Sequence, residues 1–136
     1  MKKLFGIAIV IFSILSCESE DFFETSGTEV ETISFANVPE ELILGETYEF
    51  DLTVDLISDC HSFNRFETET VNEQTIVIGP ILDFEDNLNC ELSDLSSIEI
   101  YEYTANSTGE ITFRFLTDNT SGNQLFIEKE VTVIEP

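Results

Sequence analysis

Apolar and polar residues alternate with a period of two along much of the chain after position 30. The clearest case runs from position 48 to position 56, where every second residue is apolar and the residues between are Glu, Asp or Thr. Successive side chains of a strand point to opposite faces of the sheet, so this segment is predicted to be a half-buried strand with an acidic face in water. The apolar set is Tyr48, Phe50, Leu52, Val54 and Leu56.

The rest of the chain is interpreted in the same way, and no segment has a convincing 3.6-residue period. Segment 74–82 is apolar on both faces and is predicted to be a more deeply buried strand that ends at Gly79 and Pro80. The last two strands are predicted to form a hairpin across the polar turn 118–123. Seven short strands at this spacing are typical of an all-β, immunoglobulin-like antiparallel β-sandwich. The predicted strands are 32–36, 48–57, 62–70, 74–82, 97–104, 110–117 and 125–134.

The beginning of the chain has the parts of an export signal. Lys2 and Lys3 precede an apolar run at 4–15, which as a helix would span only about 18 Å of the roughly 30 Å hydrocarbon core of a bilayer. The following Ile14-Leu15-Ser16-Cys17 resembles the bacterial lipobox. That resemblance implies that residues 1–16 are a cleaved lipoprotein signal peptide and that Cys17 is lipidated. An ordinary secretory signal, with Cys17 incidental, is the alternative.

The residues after Cys17 suggest where the protein is displayed. Cys17-Glu18-Ser19-Glu20-Asp21 resembles the acidic signal with which Bacteroidota send lipoproteins to the cell surface. This resemblance implies an outer-membrane anchor with the domain facing the exterior, and the periplasmic face is the alternative. Residues 17–30 are then a flexible acidic tether, and residues 31–136 are the β-sandwich domain.

The charge limits the partners. The chain has 28 acidic and 5 basic residues, a net charge of −23, and cleavage after Ser16 removes Lys2 and Lys3 and lowers it to −25. Nucleic acids and anionic lipid surfaces are bound through Lys and Arg, so both are excluded as natural partners. Basic partners or divalent ions are favoured at low salt. Arg65 and Arg114 are expected to form surface ion pairs rather than to bind an anionic ligand.

Two cysteines remain if Cys17 is acylated. Cys60 and Cys90 are predicted to form a disulfide in an oxidising compartment. Zinc ligation by Cys60, His61 and Cys90 is disfavoured, because adjacent residues of a strand point to opposite faces and no fourth ligand is evident. His61, the single histidine, is predicted to lie at a strand edge or in a loop beside the bridge.

Two further resemblances bear on the fold. Segment 101–115 resembles the penultimate-strand region of bacterial immunoglobulin-like domains, with Ile111 where a Tyr often stands. The mature length resembles small lipoproteins of Flavobacteriia through Cys60-His61-Ser62-Phe63, a second Cys about thirty residues on, and a hairpin led by Gly. That family has no assigned activity, so the resemblance implies fold and location only.

The function hypotheses come from three classes. The first is a non-enzymatic binding or structural domain that contacts a protein or glycan through loops such as 83–89 and 118–123. The second is a calcium-dependent adhesion module. The third is a hydrolase or protease inhibitor, although no nucleophile elbow, phosphate loop or zinc-protease motif occurs, and no catalytic residue is assigned. The possible calcium ligands, which are otherwise a solvated loop, are Asp83, Glu85, Asp86 and Asn87.

The anchor predicts where a protease can reach the chain. A protease that cannot cross the outer membrane is expected to remove this chain from intact cells while a soluble periplasmic protein stays whole. A Cys17→Ala variant has no thiol to acylate and is expected to survive the same treatment, because it is not displayed at the cell surface. Immunoblots of the treated cells measure both effects. Survival of the wild-type chain in intact cells, with cleavage after lysis, would contradict surface export.

Overall fold

The computed structural model describes residues 29–85, 89–120 and 123–136. These residues form nine strands and no helix, so none of them belongs to a helix that could cross a membrane. The signal segment 1–16 and the predicted lipidation site Cys17 lie outside the described residues. The strands are β1 (Glu29–Val30), β2 (Ile33–Asn37), β3 (Glu41–Ile43), β4 (Thr47–Ser58), β5 (His61–Asn72), β6 (Thr75–Phe84), β7 (Leu92–Thr104), β8 (Gly109–Thr120) and β9 (Asn123–Ile134).

The strands form two sheets. The smaller has the order β2-β4-β7 and is antiparallel throughout. The larger has the order β3-β9-β8-β6, with β5 along the second edge of β6 and β1 beside the end of β6 that β8 does not reach. Two pairings in this larger sheet, β3 with β9 and β6 with β8, are parallel, whereas the sequence predicted antiparallel pairing.

The core lies between the two sheets and is centred on aromatic rings. Phe50 of β4 and Phe113 of β8 come from opposite sheets, and their ring centroids are 5.2 Å apart in an edge-on arrangement. Tyr103 of β7 also meets Phe113 edge-on, at 4.9 Å. Edge-on aromatic pairs add to the stabilisation from burial itself. The two sheets therefore form one sandwich around a continuous core that also includes Ile33, Ala36, Leu42, Leu52, Ile78, Ala105, Ile111, Phe115, Val131 and Val133.

The predicted all-β sandwich is confirmed, and all seven predicted strands are present. Two short strands, β1 and β3, were not predicted, and β1 begins inside the segment 17–30 assigned to the tether. The strand at 74–82 does not end at Gly79 and Pro80 but continues to Phe84. At Pro80 the strand that pairs with this edge of β6 changes from β8 to β1. Proline has no backbone N–H, and at this change of partner its absence interrupts no continuous series of strand hydrogen bonds. The hairpin turn is also shorter than predicted, since β8 runs to Thr120 and β9 starts at Asn123.

The turn between β3 and β4 connects the two sheets. Gly45 adopts φ 87°, a left-handed conformation that favours glycine, between β3 of the larger sheet and β4 of the smaller. The Tyr48 hydroxyl accepts a hydrogen bond from Ile43 N–H at 2.9 Å. The buried Ala105 donates its N–H to the Glu46 carbonyl and accepts from Gly45 N–H. These bonds hold the start of β4 against the end of β7.

The central position of Phe113 leads to a stability prediction. Phe113→Ala removes a fully buried ring and is expected to lower the free energy of unfolding by about 3–5 kcal/mol, because the surrounding rings cannot close the cavity. Leu125→Ala is the matched control, since Leu125 is 50% exposed and its loss should cost less than about 1 kcal/mol. Urea denaturation measures both. Equal losses for the two variants would contradict this description of the core.

Candidate functional site

One end of the sandwich is closed by a disulfide. Cys60 lies in the connection between β4 and β5, and Cys90 lies between β6 and β7. Their Cα atoms are 5.5 Å apart, and the bond joins positions separated by 30 residues. Backbone hydrogen bonds run beside it from Glu85 N–H to the Cys60 carbonyl (3.0 Å) and from Asp59 N–H to the Glu91 carbonyl (3.2 Å). The predicted pairing of Cys60 with Cys90 is confirmed.

Ser58 and His61 form a hydrogen bond next to this disulfide. The Ser58 Oγ lies 2.7 Å from Nδ1 of His61 and also accepts a hydrogen bond from Cys60 N–H at 3.3 Å. A serine bonded to a histidine is the arrangement of many nucleophilic hydrolases. Here Ser58 is only 4% exposed, so its hydroxyl is not accessible for attack on a substrate. The pair instead holds the connection from β4 to β5 in place.

Ser58 is a residue that sequence reasoning missed. The available signal was the spacing Ser-x-x-His, which places the two side chains at the ends of a two-residue connection. His61 itself is at the first position of β5, beside the bridge as predicted, and its ring packs on Phe84 at 4.9 Å. Zinc ligation at this end is excluded, because the sulfur atoms of Cys60 and Cys90 are bonded to each other and provide no thiolate.

Of the predicted calcium ligands, Asp83 lies near the end of β6, and the other three follow this strand in the sequence. Asp83 is exposed, and its Oδ1 accepts a hydrogen bond from the Asn64 amide at 2.7 Å. Glu85 is also exposed. Asp86 and Asn87 lie outside the described residues, so calcium binding by these four residues stays a prediction.

The arginines form the ion pairs that the sequence predicted. Arg114 lies 3.0 Å from a Glu128 carboxylate oxygen, and its guanidinium stacks 4.2 Å above the centre of the Phe126 ring. Arg65 is 3.8 Å from Glu67 in a more exposed pair. Both arginines belong to the larger sheet and lie next to acidic side chains of the same sheet.

Shallow acidic grooves cross the outer surface of the larger sheet. One groove of about 610 Å³ is bordered by Glu73, Glu110 and Glu130. A second, of about 490 Å³, shares Glu110 and Glu130 and adds Glu40 and Glu41. All five carboxylates are exposed to water. The grooves contribute to a negative potential but do not enclose a ligand.

The smaller sheet has an apolar surface that faces water. Phe35 on β2 and Ile98 on β7 are both aligned with Thr53 of the central strand β4, and they are 60% and 72% exposed. Ile100, in the next outward row of β7, is 56% exposed and is aligned with Asp51. We call this surface, defined by Phe35, Asp51, Thr53, Ile98 and Ile100, the outer face.

Acidic side chains lie at five outward positions around this outer face, whereas Glu99, between Ile98 and Ile100, is on the other side of β7. Strands β2, β4 and β7 contain six acidic residues and no Lys or Arg. The three basic residues in the described part of the chain, Arg65, Arg114 and Lys129, all belong to the larger sheet. The acidic residues are Glu49, Asp51, Asp55, Asp94, Glu99 and Glu102.

On the larger sheet, two outward apolar residues are covered by neighbouring side chains, unlike those of the outer face. Val77 and Leu116 are fully buried there, because Val30 of β1 and Phe126 of β9 pack against them. No strand of the described residues covers the outer face of the smaller sheet in this way. Large apolar patches left open on a soluble protein mark interaction surfaces. The outer face is therefore the candidate site, and it lies on a sheet rather than on the loops that the sequence pointed to.

The inner side of β7 is fixed by its tyrosines. Burial, with a smaller contribution from Tyr101, raises the pKa of the Tyr103 hydroxyl above its ordinary value of 10.0. Tyr101 packs edge-on against Phe66 of the larger sheet at 5.7 Å, and its hydroxyl lies 3.2 Å from Thr68 Oγ1. Because Tyr101 and Tyr103 occupy the inner side, the alternating Ile98 and Ile100 point outward.

Comparisons with protein-family models, with curated proteins and with solved structures find no match to this chain.

The disulfide leads to a second stability prediction. Replacing both Cys60 and Cys90 with Ser is expected to lower the free energy of unfolding by about 3–4 kcal/mol, since it opens a 30-residue loop in the unfolded chain. Urea denaturation measures the change, and the wild-type chain in reductant should match the variant. A variant that unfolds at the wild-type urea concentration would contradict a stabilising role for the bond.

Proposed function

We propose that this chain is an exported lipoprotein, acylated at Cys17 and held at the outer membrane with its β-sandwich facing the cell exterior. There the domain binds a protein or glycan ligand and catalyses no reaction. Its sandwich is an immunoglobulin-like variant. Strands β2, β4 and β7 take the places of strands A, B and E, whereas β6, parallel to β8, takes the place of strand C.

The export part of the proposal is supported by the signal-like residues 1–17 and by the disulfide. A bond between Cys60 and Cys90 persists in oxidising compartments such as the cell envelope. The chain from Cys17 to Glu29, where β1 begins, can span at most about 40 Å. That reach is enough to present the sandwich beyond the membrane surface.

The observation that carries the binding part is the outer face. Three large apolar side chains, Phe35, Ile98 and Ile100, are more than half exposed on one sheet surface. Leaving them in water gives up the stabilisation that burial would supply, about 1.5–3 kcal/mol for each side chain fully buried. A partner that covers this surface recovers that free energy. Nucleophilic catalysis is not supported, because Ser58 is buried in the connection that it stabilises.

Photo-crosslinking in intact cells tests this proposal. A photoreactive phenylalanine analogue placed at Ile98 of the full chain is expected to give discrete cross-linked products, because this position points from the outer face toward the partner. The matched control places the analogue at Thr132, an exposed position on the larger sheet, and should give none. Gel mobility after irradiation measures both.

Absence of cross-linked products at Ile98 in cells that display the chain would overturn the binding proposal. Equal amounts of cross-linked product at Ile98 and Thr132 would also contradict it, because the contact would then not be specific to the outer face.

A further inference from the structure

The smaller sheet ends in a long open strand. β7 contains thirteen residues, pairs with β4 on one side, and has no strand partner on its other side in the described part of the chain. Its pairing with β4 is continuous from Thr104 to Leu95 without a register shift. An edge of this kind presents a regular row of backbone donors and acceptors to a further strand.

Natural proteins usually protect such an edge, and β5, the long edge strand of the larger sheet, is protected. β5 has two register shifts, between Phe63 and Arg65 and between Thr70 and Asn72, and it carries Arg65. Bulges and basic residues both oppose strand addition. β7 contains no Lys, Arg or Pro and no comparable irregularity over its central ten residues. Of the two long edge strands, β5 and β7, only β7 is therefore ready to pair with a further strand.

The outward side chains of β7 specify a complementary sequence. Alternate residues on this side are Asp94, Ser96, Ile98, Ile100 and Glu102. Two adjacent apolar positions thus lie between two acidic positions. On a strand added to β7, the neighbouring side chains lie about 4.5–5.5 Å away, close enough for apolar contact and ion pairing. The best complement has two outward apolar residues flanked by Lys or Arg.

The charge excludes occupants from this chain itself. A second copy of β7 would place Asp94 and Glu102 near the same acidic residues, and like charges directly across a sheet are destabilising. The segment before β1 is also acidic, with Glu18, Glu20 and Asp21. A cationic partner is attracted instead, since the sheet has six acidic residues and no basic one.

We propose that β7 binds an extended cationic segment of another polypeptide by strand addition, with two outward apolar side chains of that segment against Ile98 and Ile100. This inference rests on the proposed binding function and specifies its partner. Main-chain hydrogen bonds along the edge of β7 supply part of the affinity, and the alternating side chains supply the selectivity.

Synthetic peptides test the inference on the full chain purified in detergent. In the probe, Lys, Ser, Val, Val and Lys face the outward residues of β7 in turn, and Thr stands between each of them. The peptide is made in this order and in the reverse order, and its binding is followed by fluorescence anisotropy. One order is expected to bind, with an affinity that falls as salt is added. Replacing both Lys with Glu should weaken binding at least about tenfold, and so should N-methylation of the amides that face β7, which keeps the side chains but removes the backbone donors.

Variants of the protein locate the site. Ile98→Ser with Ile100→Ser is expected to weaken binding at least about tenfold without loss of fold, because both side chains are exposed. Leu125→Ser removes an apolar side chain that is 50% exposed on the larger sheet and should leave binding unchanged. Equal binding of the N-methylated or the Glu-containing peptide would overturn strand addition by a cationic segment.

The two proposals fail differently. Cross-linking at Ile98 in cells together with no peptide binding would leave the binding domain standing but overturn the cationic strand as its partner. Peptide binding that survives in the Ile98→Ser, Ile100→Ser variant would overturn β7 as the site. Loss of cross-linking at Ile98 would overturn the binding proposal itself.

Discussion

The edge-on packing of the Phe113 ring against Phe50 and Tyr103 is the interaction on which the rest of the structure depends. These rings come from both sheets, so they determine which side of β4 and β7 faces inward. A slip of β7 by one residue would bring Ile100 inward and expose Tyr103, because side chains alternate between faces. The aromatic contacts prevent that slip. The exposed apolar surface is therefore a consequence of the core, since one side of β7 can be buried only if the other stays outside.

This constraint explains which features were predictable from sequence. The segment from Tyr48 to Leu56 keeps a single alternation, so its buried side was predicted and is confirmed. In β7 the apolar positions change phase, from Ile98 and Ile100 to Tyr101 and Tyr103. The two-residue period alone does not show which side of β7 is buried, because that depends on aromatic rings from strands that are distant in the sequence. β1 and β3 are too short to show a period, and the parallel pairing of β6 with β8 depends on sheet assembly. The disulfide was predictable because only two cysteines, Cys60 and Cys90, lie outside the predicted signal and lipidation segment.

The distribution of charge separates the two sheets by role. The larger sheet contains every basic residue in the described ranges, and its outward Val77 and Leu116 are buried by side chains of its own strands. The smaller sheet contains only acidic charges and leaves its apolar residues open. Repulsion between copies keeps such a surface from associating with itself, although exposed apolar residues and an open edge strand would otherwise favour aggregation. The acidic composition therefore allows apolar side chains to stay exposed without self-association, and its potential favours cationic over anionic partners.

The position of the chain entry completes this argument. β1 pairs with the end of β6 that precedes the disulfide loop, and Asn119 of β8 donates to the Val30 carbonyl at 3.2 Å. The described part of the chain thus begins at the disulfide end of the sandwich, on the larger sheet. The Cys60–Cys90 bond stabilises this end, where β7 also begins at Leu92. From there β7 runs to the opposite end at Thr104, so the proposed anchor at Cys17 would leave its open edge extending away from the membrane.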